Sequence, residues 1–363
     1  MPRHLPLRTA LPVLLLAVGA GRVAPAQDVP WLAEVTTSPP HPVLPQAGRI
    51  EPLLDPADTT PHDWQRRRTE LRQRWVDFLG PMPAAGPLQL RVVRSEALES
   101  VDRRLVEYDG EPGLRVRAWL IEPRMRSGRL PALVALHQTT SATIDEVAGV
   151  SGPDAMQIGL KLARRGFVVL CPRCFLWQDV DGYDAAVQRL RERHPRTTGM
   201  AKMLYDARRA VDVLESLESV DAGRIGAVGH SLGGKEVLYL AAFDERVRAA
   251  VASEGGLGLR STNWDAPWYL GPAIRDERFP LNHHQLLALI APRPFLVLGG
   301  ESGPGAADGD RSGVLINAAL PAWRLSGSPQ RLGLLNHREG HAIPDAAFDR
   351  IAAWLEAYVA AAR

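Results

Sequence analysis

The chain has 363 residues, 45% of them hydrophobic and 23% charged, an ordinary globular composition with length enough for one large α/β domain and an N-terminal extension. The net charge is +2, which offers no electrostatic footprint for nucleic acid and excludes it as an expected partner.

In chain order, Met1 to Ala26 reads as a secretory signal. Arg3 and Arg8 lead an apolar run from Leu11 to Ala20, and Ala24-Pro25-Ala26 is an A-x-A cleavage pattern before Gln27. The run is too short to cross a bilayer, and no other stretch reaches the ~18 unbroken apolar residues a spanning helix needs. The mature chain is therefore expected to be secreted or periplasmic, without a membrane span and with a net charge of −1 once the signal's arginines are removed. Residues 27–100 read as an extension with one helix. Pro and short polar residues dominate up to about Pro61, a helix runs from there to Leu79, and Gly80-Pro81 stops it. Arg66-Arg67-Arg68 falls on the solvated face of that helix.

Residues 101–363 form the main domain. Arg103–Tyr108 and Leu114–Ile121 flank Asp109-Gly110-Glu111-Pro112-Gly113 as an antiparallel hairpin. From Leu130 on, short apolar runs alternate with amphipathic segments. Strands are expected at 131–136, 167–170, 224–228, 247–252, 295–298 and 332–335, with helices at about 153–165, 199–217, 233–243, 313–325 and 345–361. This alternation implies a mostly parallel central sheet with helices on both faces and an antiparallel hairpin at its start. The stretch from Gly255 to Pro294 breaks the rhythm and reads as a cap or rim carrying Trp264, Trp268, Tyr269 and His283-His284. Cys171 and Cys174, the only cysteines, lack a partner motif for a metal site and receive no chemistry.

Gly229-His230-Ser231-Leu232-Gly233 follows an apolar strand and precedes a helix. In that context G-x-S-x-G is a nucleophile elbow, whose glycines allow the sharp turn that holds the serine hydroxyl clear of the sheet. A serine needs a base, and His341, in the loop between the last strand and the closing helix, supplies it. His337 is its rival, and the two could also be read as a metal pair, although no third ligand stands at a recognisable spacing. The loop after Phe295–Leu298 carries Glu301, Asp308 and Asp310, where the order serine, acid, histidine calls for a carboxylate. Asp308 is the first choice there and Asp310 the second. Glu254, at the end of a neighbouring strand, is a third candidate for the acid or a substrate-binding group. The oxyanion donors are expected to be the Leu232 amide and an amide of the turn at His137-Gln138-Thr139-Thr140, that of Thr139 first and Gln138 next.

On His137-Gln138-Thr139-Thr140, Gly229-His230-Ser231-Leu232-Gly233-Gly234, Ala291-Pro292-Arg293-Pro294, Asp308-Gly309-Asp310-Arg311-Ser312 and Gly340-His341, the chain from about Leu114 to Ala361 resembles the dienelactone hydrolase and acetyl xylan esterase-like branch of the α/β-hydrolases. The resemblance implies an α/β-hydrolase fold, a serine, histidine and acid triad, no metal or other cofactor, and an ester substrate that is often an acetylated carbohydrate. A serine stands where true dienelactone hydrolases use cysteine, which argues against dienelactone itself. The expected activity is ester hydrolysis through an acyl-enzyme on a small-molecule or carbohydrate ester. Trp264 and Trp268 are candidate sugar-stacking platforms. A serine peptidase of prolyl-oligopeptidase type, or a binding protein on a hydrolase scaffold, are the alternatives; oligomeric state is left open.

Overall fold

The computed structural model describes residues 47–361 apart from positions 56, 58 and 59. The signal expected at residues 1–26 lies outside the described residues.

The extension contributes α1 (Pro61–Leu79). Thr60 and Asp63 form a reciprocal capping box, Pro61 opens the helix, and Trp64, Leu71, Trp75 and Leu79 form its buried stripe. The main domain follows as β1 (Arg91–Ala97), β2 (Val101–Asp109), β3 (Arg115–Pro123), β4 (Leu130–Leu136), α2 (Ile144–Val147), α3 (Ile158–Arg164), β5 (Val168–Pro172), α4 (Tyr183–Arg193), α5 (Gly199–Ser216), β6 (Val220–His230), α6 (Leu232–Phe243), β7 (Val247–Ser253), α7 (His283–Ile290), β8 (Phe295–Gly299), α8 (Gly313–Leu325), β9 (Leu332–Asn336) and α9 (Asp345–Leu355).

The nine strands lie in the order β1-β2-β3-β5-β4-β6-β7-β8-β9. β1, β2 and β3 run antiparallel, β3 pairs antiparallel with β5, and the six strands β4 to β9 are mutually parallel. Alternate residues of each parallel strand feed two cores. Ala132, Val134 and Leu136 of β4 pack with α1, α5, α6, α7 and α8, whereas Leu133 and Ala135 pack with α2, α3 and α9. Both faces are thus covered, which is why these strands are nearly continuous apolar runs. Four elements were not expected, among them α2 and α7, the second lying inside the stretch read as a cap or rim. β1 is an edge strand whose residues are largely exposed, so it shows no alternation. In α4 only Ala186, Val187 and Leu190 are buried among Arg and Glu.

The chain leaves β4 toward β5 and returns past it to β6, so the order of the sheet reverses between β4 and β6. Crevices at such a reversal, outside the carboxyl ends of the strands, are where open α/β sheets place ligands. Register aligns those ends: Leu136 lies opposite Gly229, His230 opposite Ser253, Ser253 opposite Leu298, and Gly299 opposite Asn336. Whatever follows each of these residues emerges on one edge.

α6 is buried along its whole length, including Lys235 and Glu236. Burial, reinforced by the nearby Asp206, pushes the Glu236 carboxyl from 4.5 up to about 8. Between those values the unfolded chain has released a proton that the folded chain keeps, so this group's contribution to stability is lost as pH rises from 4.5 through 8. Glu236→Gln, which mimics the protonated acid, should match the wild type in thermal unfolding near pH 4.5 and melt at a higher temperature above pH 8; parallel melts at the two pH values check this.

Candidate active site

Ser231 joins β6 to α6 with φ 56° and ψ −114°, a left-handed backbone that a residue with a Cβ adopts only under constraint. The constraint is packing. Its N–H donates to the Ser253 carbonyl at 2.8 Å. A Cβ at Gly229 would lie 2.4 Å from the Gly233 backbone, and one at Gly233 would lie 2.1 Å from the Leu136 carbonyl oxygen. Only glycine allows strand, elbow and helix to approach this closely. The opening amides of α6, that of Leu232 among them, have no acceptor inside their own helix.

The turn after β4 is pinned from behind. His137 is buried, its Nδ1 is 2.8 Å from the Gln138 carbonyl, and its Nε2 accepts the Cys174 N–H at 3.1 Å. Acceptance at Nε2 places the proton on Nδ1, and burial lowers the ring to about 4, so this histidine is a neutral brace. Gln138 donates its side-chain amide to Glu146, and Thr139 is exposed on the same turn. His230 shares a 2.9 Å hydrogen bond with buried Ser253 and is held to about 3, chiefly by burial. Its ring centroid is 4.7 Å from that of His341, which brings the loop after β9 over the elbow.

Of the three acid candidates, Glu254 is the one set beside His341. Glu254 follows β7 with φ 52° and is 1% exposed. Its carboxylate accepts the Gly300 N–H, the Ala307 N–H at 2.5 Å and the Asp308 N–H at 3.1 Å. Its Oε2 lies 3.7 Å from His341 Nδ1, a nitrogen that is buried and has no hydrogen-bond partner among the described residues. The separation is longer than a hydrogen bond, as base and acid often are before substrate arrives.

Asp308, the first choice, does not meet His341. Its oxygens accept Gly256 N–H at 2.6 Å, Leu257 N–H at 2.8 Å and Ser312 Oγ–H at 2.7 Å. The side chain turns back beneath the segment after Glu254, so each carboxylate holds the backbone of the loop that carries the other. Burial, and then the charge of Glu254, raise the Asp308 carboxyl above its ordinary range. Asp310 is displaced outward, accepting from Asn336 and Arg338, each at 2.9 Å. Glu301 accepts the Asp310 N–H and the Asn336 amide. His337, the rival base, accepts the Glu339 N–H at Nδ1, and burial lowers its ring pKa.

Two substrate-binding expectations are corrected. Glu254 is too buried and too fully bonded to meet a substrate directly. Trp264 is 0% exposed and sits among Tyr239, Tyr269 and His283, with its indole N–H on the Gly256 carbonyl at 2.7 Å. The stretch after Gly255 is thus partly core, and Trp264 has no free face for a sugar. Trp264→Ala should cost about 3–5 kcal/mol of stability through the cavity it leaves, while KM of the refolded variant stays near wild type; denaturant unfolding and steady-state kinetics check the two halves. Trp268 remains half-buried beside Tyr183, ring centroids 5.1 Å apart. Lys235 was not anticipated. It is buried beside the elbow, donates to the Gly255 carbonyl at 2.7 Å and Thr262 Oγ1 at 2.6 Å, and lies 4.0 Å from the Trp264 ring centroid. Burial lowers it to about 7. Adjacent Lys235 and Glu236 in an otherwise apolar helix were its sequence signal.

The dienelactone hydrolase family matches residues 127–289. The chain is similar to the putative hydrolase YtaP of Bacillus subtilis (strain 168), 25% identical over 248 residues covering 64% of this chain and 80% of that one. It is also similar to 4-O-methyl-glucuronoyl methylesterase 1 of Sodiomyces alcalophilus, 27% identical over a segment covering 27% of this chain and 25% of that one. Among solved structures, a glucuronoyl esterase from Solibacter usitatus superposes with a TM-score of 0.69 at 21% identity, covering 90% of this chain and 99% of that chain. A putative acetyl xylan esterase from Bacteroides fragilis does so with a TM-score of 0.62 at 15% identity, covering 86% and 87%. The chain has the α/β-hydrolase fold, and its resemblance to the dienelactone hydrolase and acetyl xylan esterase-like branch is borne out.

Proposed function

We propose that this chain is an exported serine carboxylic-ester hydrolase that acts on carbohydrate esters through an acyl-enzyme. The observation that carries the reading is the placing, at the reversal point of the sheet, of the His341 ring 4.7 Å from that of His230, next to the strained Ser231 elbow, with His341 Nδ1 3.7 Å from the buried Glu254 carboxylate. His341 takes the Ser231 proton as the oxygen attacks the ester carbonyl. The tetrahedral oxyanion is received by the Leu232 amide and by an amide of the Gln138-Thr139 turn. Collapse breaks the carbon–oxygen bond to the alcohol, which leaves with the proton from His341; water, deprotonated by the same ring, then releases the acid and restores the serine. Glu254 holds the ring in one tautomer and offsets its transient positive charge. Asp308 keeps the backbone under Glu254 in place.

The carbohydrate part of the reading is supported by the relatives, whose names include glucuronoyl methylesterases and acetyl xylan esterases. Export is supported by the sequence of residues 1–26. The test is a parallel assay of acetylated xylan, a short aryl acetate, a glucuronoyl ester and a prolyl amide with the wild type and Ser231→Ala. Turnover of at least one carbohydrate ester, well above the variant, with the amide untouched, is expected. Amide cleavage faster than any ester, or ester rates equal in the two proteins, would reject it.

A further inference from the structure

We propose that the cavity between the β2–β3 hairpin and helices α4 and α5 is a second binding site, apart from the Ser231 edge, for a small saccharide bearing a carboxylate. The cavity encloses about 380 Å³, within the range that accommodates small organic ligands. Ser231, Glu254 and His341 do not line it. Phe175 in its wall follows Cys174, whose N–H holds His137, so the cavity lies behind the turn after β4.

Its charge is uneven in a way that selects a ligand. Six cationic side chains face it against four carboxylates. At one side of the rim, Arg91 and Arg117 both bond to Glu107, with Arg115 3.6 Å from the same carboxylate. At the other, Arg189 donates to the carbonyls of Gln178 and Asp179, and Arg193 to the carbonyl of Pro112. Arg193 also lies 3.5 Å from the Glu111 carboxylate, whereas Arg189, held by neutral carbonyls, keeps its charge available to an incoming anion.

The floor has the opposite character. Glu111, Lys202 and Asp206 are buried there; Lys202 donates to Asp206 at 2.6 Å and stands 3.5 Å from Glu111. The second carboxylate oxygen of Asp206 is buried without a hydrogen-bond partner among the described residues. A bare inorganic anion entering this far would be repelled by the two acids. A molecule with hydroxyls would donate to them while leaving its own carboxylate among the arginines. Phe175, Leu190 and Val116 add apolar wall against which the C–H face of a sugar ring can lie. Acid at one end, hydroxyls at the other and an apolar face between them describe an acidic saccharide.

The test titrates D-glucuronate, D-glucose and inorganic phosphate into the full-length Ser231→Ala protein by calorimetry. Because no turnover is read, the result is independent of the ester-hydrolase reading. Glucuronate should bind about tenfold more tightly than either control, and the Arg189→Ala/Arg193→Ala pair should weaken it by about tenfold. Arg189 is exposed, so Arg189→Ala alone serves if the double variant does not fold, with a smaller loss expected. The proposal is overturned by undetectable glucuronate binding, by affinity unchanged in the arginine variants, which would place the sugar elsewhere, or by phosphate binding as tightly as glucuronate, which would leave a simple anion site.

Discussion

Ser231→Ala is expected to lower kcat for ester hydrolysis by at least about 10⁴-fold, with circular dichroism and thermal unfolding little changed. Removal of a nucleophile from a triad costs nearly as much as removal of the whole triad, because base and acid then have nothing to activate. The fold should tolerate the change well. Ser231 is only half-buried, and its side chain does not cap α6. The strained backbone is held by Gly229, Gly233 and the Ser253 carbonyl, which the substitution leaves in place. A variant that retains a tenth of the wild-type rate would show that the hydroxyl is not the attacking group.

The second large effect separates the two buried acids. Glu254→Gln should reduce kcat by about 10³- to 10⁴-fold with KM nearly unchanged, since the side chain is sealed from substrate but faces the base. Glutamine keeps the size and removes the charge that fixes and balances the imidazole. It also sets an N–H₂ against the main-chain donors at Gly300 or Ala307 and Asp308. Asp308→Asn should reduce kcat by only about tenfold and lower stability by about 1–3 kcal/mol, because it disturbs one donor–acceptor pair beneath the loop rather than the partner of the base. Steady-state kinetics and denaturant unfolding on both variants would show the order; a greater loss of kcat in Asp308→Asn would return the acid to the loop after β8.

That reversal also shows how far the sequence could be read. The six parallel strands, the elbow and the histidine loop were legible because each rests on local pattern: apolar runs bounded by turns, glycines at fixed offsets from a serine, a histidine after the last strand. Choosing between Glu254 and Asp308 was not a local problem. Both follow apolar strands, and the order of triad residues along the chain favours Asp308. What favours Glu254 in the proposed triad is that the pairing of β7 with β8 carries its carboxylate past His341, while that of Asp308 folds back onto Gly256 and Leu257. Trp264 misled for a related reason. An aromatic residue in an irregular segment looks like a rim, but this segment passes under the sheet's edge, where Tyr239, His283 and Lys235 enclose the indole. Lys235 and Glu236 reversed the usual expectation for charge, since α6 buries both beside the elbow it launches.

The account depends on Ser231 becoming covalently acylated, and labelling with a fluorophosphonate followed by peptide mass mapping tests that most directly. One phosphonyl group on the peptide carrying Ser231, formed in step with loss of esterase activity and absent from Ser231→Ala, is the predicted result. Ester turnover that continues in protein fully exposed to the reagent, or a label that inactivates from another residue, would contradict it.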